Sequence, residues 1–97
     1  MPAYLIVNYK VEDPALYGEY AAAAGPALSI GKDCKLLVLD PQSESLEGSP
    51  APQTVMLEFE SKEAAKASYD SKAYQDVIGK RHDATSEHFA VIVNGIG

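Results

Sequence analysis

The chain has 97 residues, 46% hydrophobic and 23% charged, with a formal net charge of −6. That balance suits one folded domain with its own apolar core and excludes a disordered segment. Seven lysines and a single arginine scattered among acids exclude the clustered cationic face that nucleic acid or an anionic membrane requires.

Ala3 to Val11, "AYLIVNYKV", reads as a strand rich in residues that suit a pleated surface. Ala3, Leu5, Val7, Tyr9 and Val11 share one side; Tyr4, Ile6, Asn8 and Lys10 share the other. Asp13 is an N-cap and Pro14 a first helical residue. Leu16, Tyr17, Tyr20, Ala21 and Ala24 recur at helical spacing, and Gly25-Pro26 is expected to break or kink that helix before a short turn ending at Gly31. Cys34 to Asp40 is a second strand, its near-continuous apolar run predicting cover on both faces. Residues 41–52 are polar and proline-rich, a loop.

Gln53 to Glu60 is a third strand, with Val55, Leu57 and Phe59 on one face and Thr54, Met56 and Glu58 on the other. Ser61 caps a helix, and Ser71 reads as a second cap, so two helical pieces meet near Asp70. Glu87 to Gly95 is the last strand. The order β-α-β-β-α-β is the ferredoxin-like arrangement, an α+β fold with one four-stranded antiparallel sheet and the helices on one face. Residues 1–97 form a single domain on this reading.

The strands carry apolar residues on both faces, while helices cover one. An open apolar sheet face in water predicts a second copy packed sheet against sheet, a homodimer. The alternative is a monomer whose 41–52 loop folds over that face.

The lone Cys34 has no disulfide partner and no zinc-ligand set, and reads as a small buried hydrophobe. "AYLIV" is too short for a signal h-region, and no apolar run reaches membrane-span length, so a cytoplasmic protein is expected. No cofactor motif, phosphate loop, nucleophile elbow or metal spacing is present in the sequence.

Over residues 72–82 as a helix, Tyr74, Val77, Ile78 and Arg81 share an inward face. Arg81 is then partly covered and needs a carboxylate or carbonyls; Glu58 is a candidate partner. The pattern favours a structural clamp, and the functional alternative is a small anion held by Arg81 and nearby tyrosines. Tyr4, Tyr17, Tyr20 and Tyr69 are candidates to line a space between helices and sheet, and Asn8, among apolar neighbours, must find partners or a ligand. His82 is a candidate proton carrier, although it and His88 read first as surface residues. The candidate ligand-binding set is therefore Asn8, Tyr17, Tyr20, Glu58, Tyr69 and Arg81.

"YLIV", "DP..Y..Y", "LEG" and "EF.S.EAA...YDS..YQ", with Arg81 and Ala84 after them, resemble the family catalogued as Domain of Unknown Function 1330 over nearly the whole chain. The resemblance implies the dimeric α+β barrel and no settled activity. The sequence departs from the family's pattern in two places. Lys32 and Asp33 follow Gly31 where paired glycines are frequent, and Ser68 stands where an aromatic often precedes the tyrosine. Related barrels include small monooxygenases and isomerase-type enzymes. The heme-degrading ones are similar in an Asn on the first strand and a His near the second helix, which Asn8 and His82 match loosely. They also use a Trp, and this chain has none. A homodimer that binds a small molecule in a mostly apolar pocket between helices and sheet is the expected function; a small enzyme of this superfamily and a purely structural dimer without a pocket are the alternatives.

Overall fold

The computed structural model describes all 97 residues. Seven elements follow in order: β1 (Ala3–Val11), α1 (Pro14–Leu28), β2 (Lys35–Asp40), β3 (Gln53–Phe59), α2 (Lys62–Asp70), α3 (Lys72–Ala84) and β4 (Thr85–Asn94). The strands form one antiparallel sheet in the order β2-β3-β1-β4, so each helical connection crosses over one intervening strand. This is the ferredoxin-like fold, with its second helix divided in two.

The caps are those the sequence predicts. Asp13 Oδ1 accepts from Leu16 N at 3.1 Å and Ser61 Oγ from Ala64 N at 3.0 Å. Ser71 Oγ accepts from Tyr74 N at 3.2 Å and donates to Ser68 O at 2.7 Å, closing α2 and opening α3 with one side chain.

Pro26 does not stop α1, contrary to the sequence reading. Tyr20, Ala24 and Leu28 form one buried stripe that runs past it, and their burial outweighs a proline cost of about 3 kcal/mol. The stop comes at Ser29, which takes the left-handed conformation at φ 54° while Ile30 N donates back to Gly25 O at 3.0 Å. The last strand starts two residues earlier than expected, with a register shift against β1 between Asn8 and Lys10 and a positive φ at Glu87.

Leu5, Val7 and Tyr9 of β1 meet Leu57 and Phe59 of β3 and the inward faces of the helices. The other face carries Ile6 beside Met56 and Val91, and Tyr4 beside Glu58 and Val93. It is open: Phe89 is 50% and Val91 44% exposed. The 41–52 loop covers only one end of it, where Ala51 seats on Asn8. β2 is not covered on both faces as its apolar run predicts. It is an edge strand beyond the helices, and Leu39 is 58% exposed.

Candidate functional site

Arg81 sits in the last turn of α3 with its backbone locked. Thr85 Oγ1 donates to Arg81 O at 2.6 Å, and Ala84 O accepts from Glu12 N and Asp13 N, tying the end of α3 to the start of α1. The i, i+3, i+4, i+7 face then carries Tyr74, Ile78 and Arg81 into the layer between helices and sheet, and Arg81 is 2% exposed. Burial is deeper than the part-covered stem the sequence implies.

No carboxylate lies within ion-pair distance of the guanidinium. The chain's five ion pairs all use lysine. Arg81 instead stacks over the Tyr9 ring, 5.6 Å from its centroid, and Nη2 lies 3.5 Å from His82 Nε2, at the outer limit of a hydrogen bond. Nε is buried with no partner, the one such side-chain nitrogen or oxygen in the chain.

Around it five of the six tyrosines form a ring chain, in the order Tyr9, Tyr17, Tyr20, Tyr74, Tyr69. Their hydroxyls pair: Tyr9 with Tyr17 at 2.7 Å, and Tyr20 with Tyr74 at 2.6 Å. Gln53 Nε2 donates to Tyr17 Oη at 2.6 Å. Burial pushes the Tyr9 and Tyr20 hydroxyls well above the ordinary tyrosine value and raises that of Tyr74, the nearby Arg81 charge only partly opposing it. These groups stay protonated at neutral pH and act as donors. His82 is shifted the other way. Withdrawal of its ring from water, then the Arg81 charge, then His88, hold it below the ordinary imidazole value. It stacks on His88 with centroids 5.2 Å apart and is the neutral proton acceptor beside Arg81.

Of the expected site residues, Tyr17, Tyr20, Tyr69, Arg81 and His82 come together here. Glu58 does not: it is on the opposite face of the sheet, paired in register with Tyr4, and its nearest cation is Lys35 at 3.9 Å. Strand alternation puts it where no α3 side chain reaches, so it is not Arg81's partner. Tyr4 shares that open face and lines no helix–sheet space. Asn8 is there too, and its amide is spent on the loop. Nδ2 donates to Ala51 O at 3.0 Å, Gln53 O at 3.1 Å and Thr54 Oγ1 at 3.1 Å, and Oδ1 accepts from Ala51 N at 2.8 Å. It is a clamp for the 41–52 loop. Tyr9, Tyr74 and Gln53 join the cluster without having been singled out as site residues. Alternation on their strands marks Tyr9 and Gln53 as inward, and the helical period marks Tyr74, so the signal was present.

The cleft of about 1200 Å³ that the structure shows lies elsewhere, where the end of α1 meets the α2–α3 joint, lined by Leu28, Cys34, Lys35, Phe59, Ser68 and Ser71 among others; neither Arg81 nor any tyrosine lines it, contrary to the pocket the sequence reading expects. Lys32, Asp33 and Ser68, the residues singled out in the sequence, are all part of the cleft wall. The Cys34 thiol is raised by burial and then by Asp33, and it contacts Leu28 O at 3.5 Å, so it is a packed thiol rather than a nucleophile. No group of three or more His, Cys, Asp or Glu side chains could hold a metal ion. No helix is long and apolar enough to cross a membrane.

The model of the family described as domain of unknown function (DUF1330) matches residues 2–96. The chain belongs to that family. No curated protein matches this DUF1330 chain. Among solved structures it is similar to a protein of unknown function from Rhodopseudomonas palustris, at 14% identity and TM-score 0.76, over 99% of this chain and 83% of that one. A dimeric ferredoxin-like protein of unknown function from Thermobifida fusca aligns at 13% identity and TM-score 0.67, over 98% and 92%. SnoaB, a cofactor-independent oxygenase from Streptomyces nogalater, aligns at 6% identity and TM-score 0.69, over 99% and 94%. At these identities the likeness is one of fold.

Proposed function

We propose that this DUF1330 protein is a homodimer that binds a small molecule in the helix–sheet layer of each protomer, at the Arg81–tyrosine cluster. One observation carries the reading: a buried arginine without an acid, set among paired hydroxyls. Well-packed apolar residues would stabilise the same space as well or better, so packing alone gives no reason for it. The dimer is supported by the apolar open face, with Val91 and Phe89 at its exposed edge. A partner packed on that face leaves the cluster, on the other side of the sheet, separate in each protomer.

Native mass spectrometry of the protein purified from its source tests both parts. The expected spectrum is a dimer mass with a retained small molecule that denaturation releases. A ligand-free dimer, silent to metabolite libraries, would leave the structural reading in its place.

An enzyme is the second reading, and His82 favours it. It is neutral, beside Arg81, and able to take a proton that the high-pKa tyrosines cannot accept. The fold likeness to a cofactor-independent oxygenase is compatible with this role. Heme titration without a Soret shift would remove the heme-degrading branch.

A further inference from the structure

We infer that the Arg81 cluster is built for a carboxylate monoanion, held on the Nε–Nη2 edge of the guanidinium; this rests on the reading that the helix–sheet layer is the ligand site. The argument is a count of donors against acceptors. Arg81 offers five N–H groups and can accept none. Its one polar contact is the long one from Nη2 to His82, and Nε has none. Whichever tyrosine donates within the Tyr20–Tyr74 pair, the other hydroxyl keeps a proton with no protein acceptor. The same holds for Tyr9 and Tyr17, because Gln53 also donates into that pair. The unpartnered protons are those of Arg81 and one hydroxyl of each pair, while the acceptors left are neutral hydroxyl oxygens and the His82 ring.

A surplus of donors selects its ligand. Water brings two more donors, with only neutral hydroxyl oxygens and the His82 ring to take them, and leaves the Arg81 charge uncompensated. An amide or alcohol brings at least one. A carboxylate brings none, and its two oxygens match the side-on fork that Nε and Nη2 present. Charge narrows the class further. The cluster holds one cation, and the next lysine along the helix, Lys80, is engaged with Glu19 at 3.4 Å. A single negative charge neutralises the site, whereas a phosphate dianion leaves buried charge uncompensated. Tyr17 and Tyr69, half-buried, and His82, exposed, are the members of the cluster that meet solvent.

The probes are benzoate and acetate, their uncharged isosteres benzamide and acetamide, and inorganic phosphate, all at fixed ionic strength. The readouts are the thermal midpoint and intrinsic tyrosine fluorescence, which no tryptophan obscures. At about ten times its dissociation constant a carboxylate raises the midpoint by about 7 °C, and the matching amide at the same concentration leaves it unchanged. Arg81→Gln abolishes the response, and Arg81→Lys, which keeps the charge and loses the fork, weakens binding about 30-fold. Tyr17→Phe, at a half-buried position, weakens it less. Amide matching acid, phosphate outcompeting both carboxylates, or an undiminished response in Arg81→Gln overturns the proposal. Should Arg81→Gln fail to fold, the acid–amide difference in the parent protein decides. A retained neutral molecule in native mass spectrometry, with no carboxylate response, overturns the anion assignment and spares the binding reading. Absence of both overturns both.

Discussion

Replacing Arg81 by methionine separates a clamp from a site. A clamp holds structure together, so its loss destabilises the protein. A cation buried without a counter-ion does the opposite. Its residual desolvation penalty is several kcal/mol, with the unpaired Nε one part of it. Against this stand the stack on Tyr9, worth about 2 kcal/mol when desolvated, and the favourable place at the C-terminal end of α3, worth about 0.5 kcal/mol. Methionine fills most of the volume with a flexible apolar chain. The balance is a gain of about 1–2 kcal/mol for Arg81→Met without ligand. For a chain of this length that is a midpoint rise of about 5–10 °C. The assay is urea unfolding followed by circular dichroism, at one protein concentration because the proposed dimer makes stability concentration-dependent. A loss of more than about 1 kcal/mol would refute the reasoning. It would mean that the guanidinium is compensated in the folded protein and that Arg81 is the clamp the sequence pattern favours.

Asn8→Ala should cost about 3 kcal/mol, since it leaves the buried Ala51 N–H and two carbonyls unpaired; hydrogen exchange would show protection lost at the Ala51 amide. Val91→Asp on the open face should turn the proposed dimer into a monomer in light scattering, with the tyrosine fluorescence of the cluster unchanged. His82 is held below the ordinary imidazole value of 6.5 in the folded state, so the unfolded chain binds its proton more readily. Its contribution to stability is full above that ordinary value and is lost as pH falls through the lowered folded-state value. His82→Gln should flatten that part of the stability–pH curve, while leaving the thermal midpoint at pH 8 unchanged within error.

Local chemistry determined most of the fold. Caps at Asp13, Ser61 and Ser71 work over three residues, and strand alternation over two, so both are legible in the sequence, as is the inward face that carries Arg81. Only the tertiary structure decided what those faces meet. Glu58 and Arg81 look like partners on charge, and the sheet lies between them because register fixes which side of β3 Glu58 takes. Asn8 looks like a ligand group until the loop's return brings Ala51 onto it, a contact 43 residues distant in sequence. Pro26 argues for a break that the long-range burial of Tyr20, Ala24 and Leu28 overrides. Nor can any local pattern show an absence. That the only arginine is buried without an acid depends on every neighbour three-dimensional packing brings to it, and that absence is what makes the Arg81 cluster a candidate site.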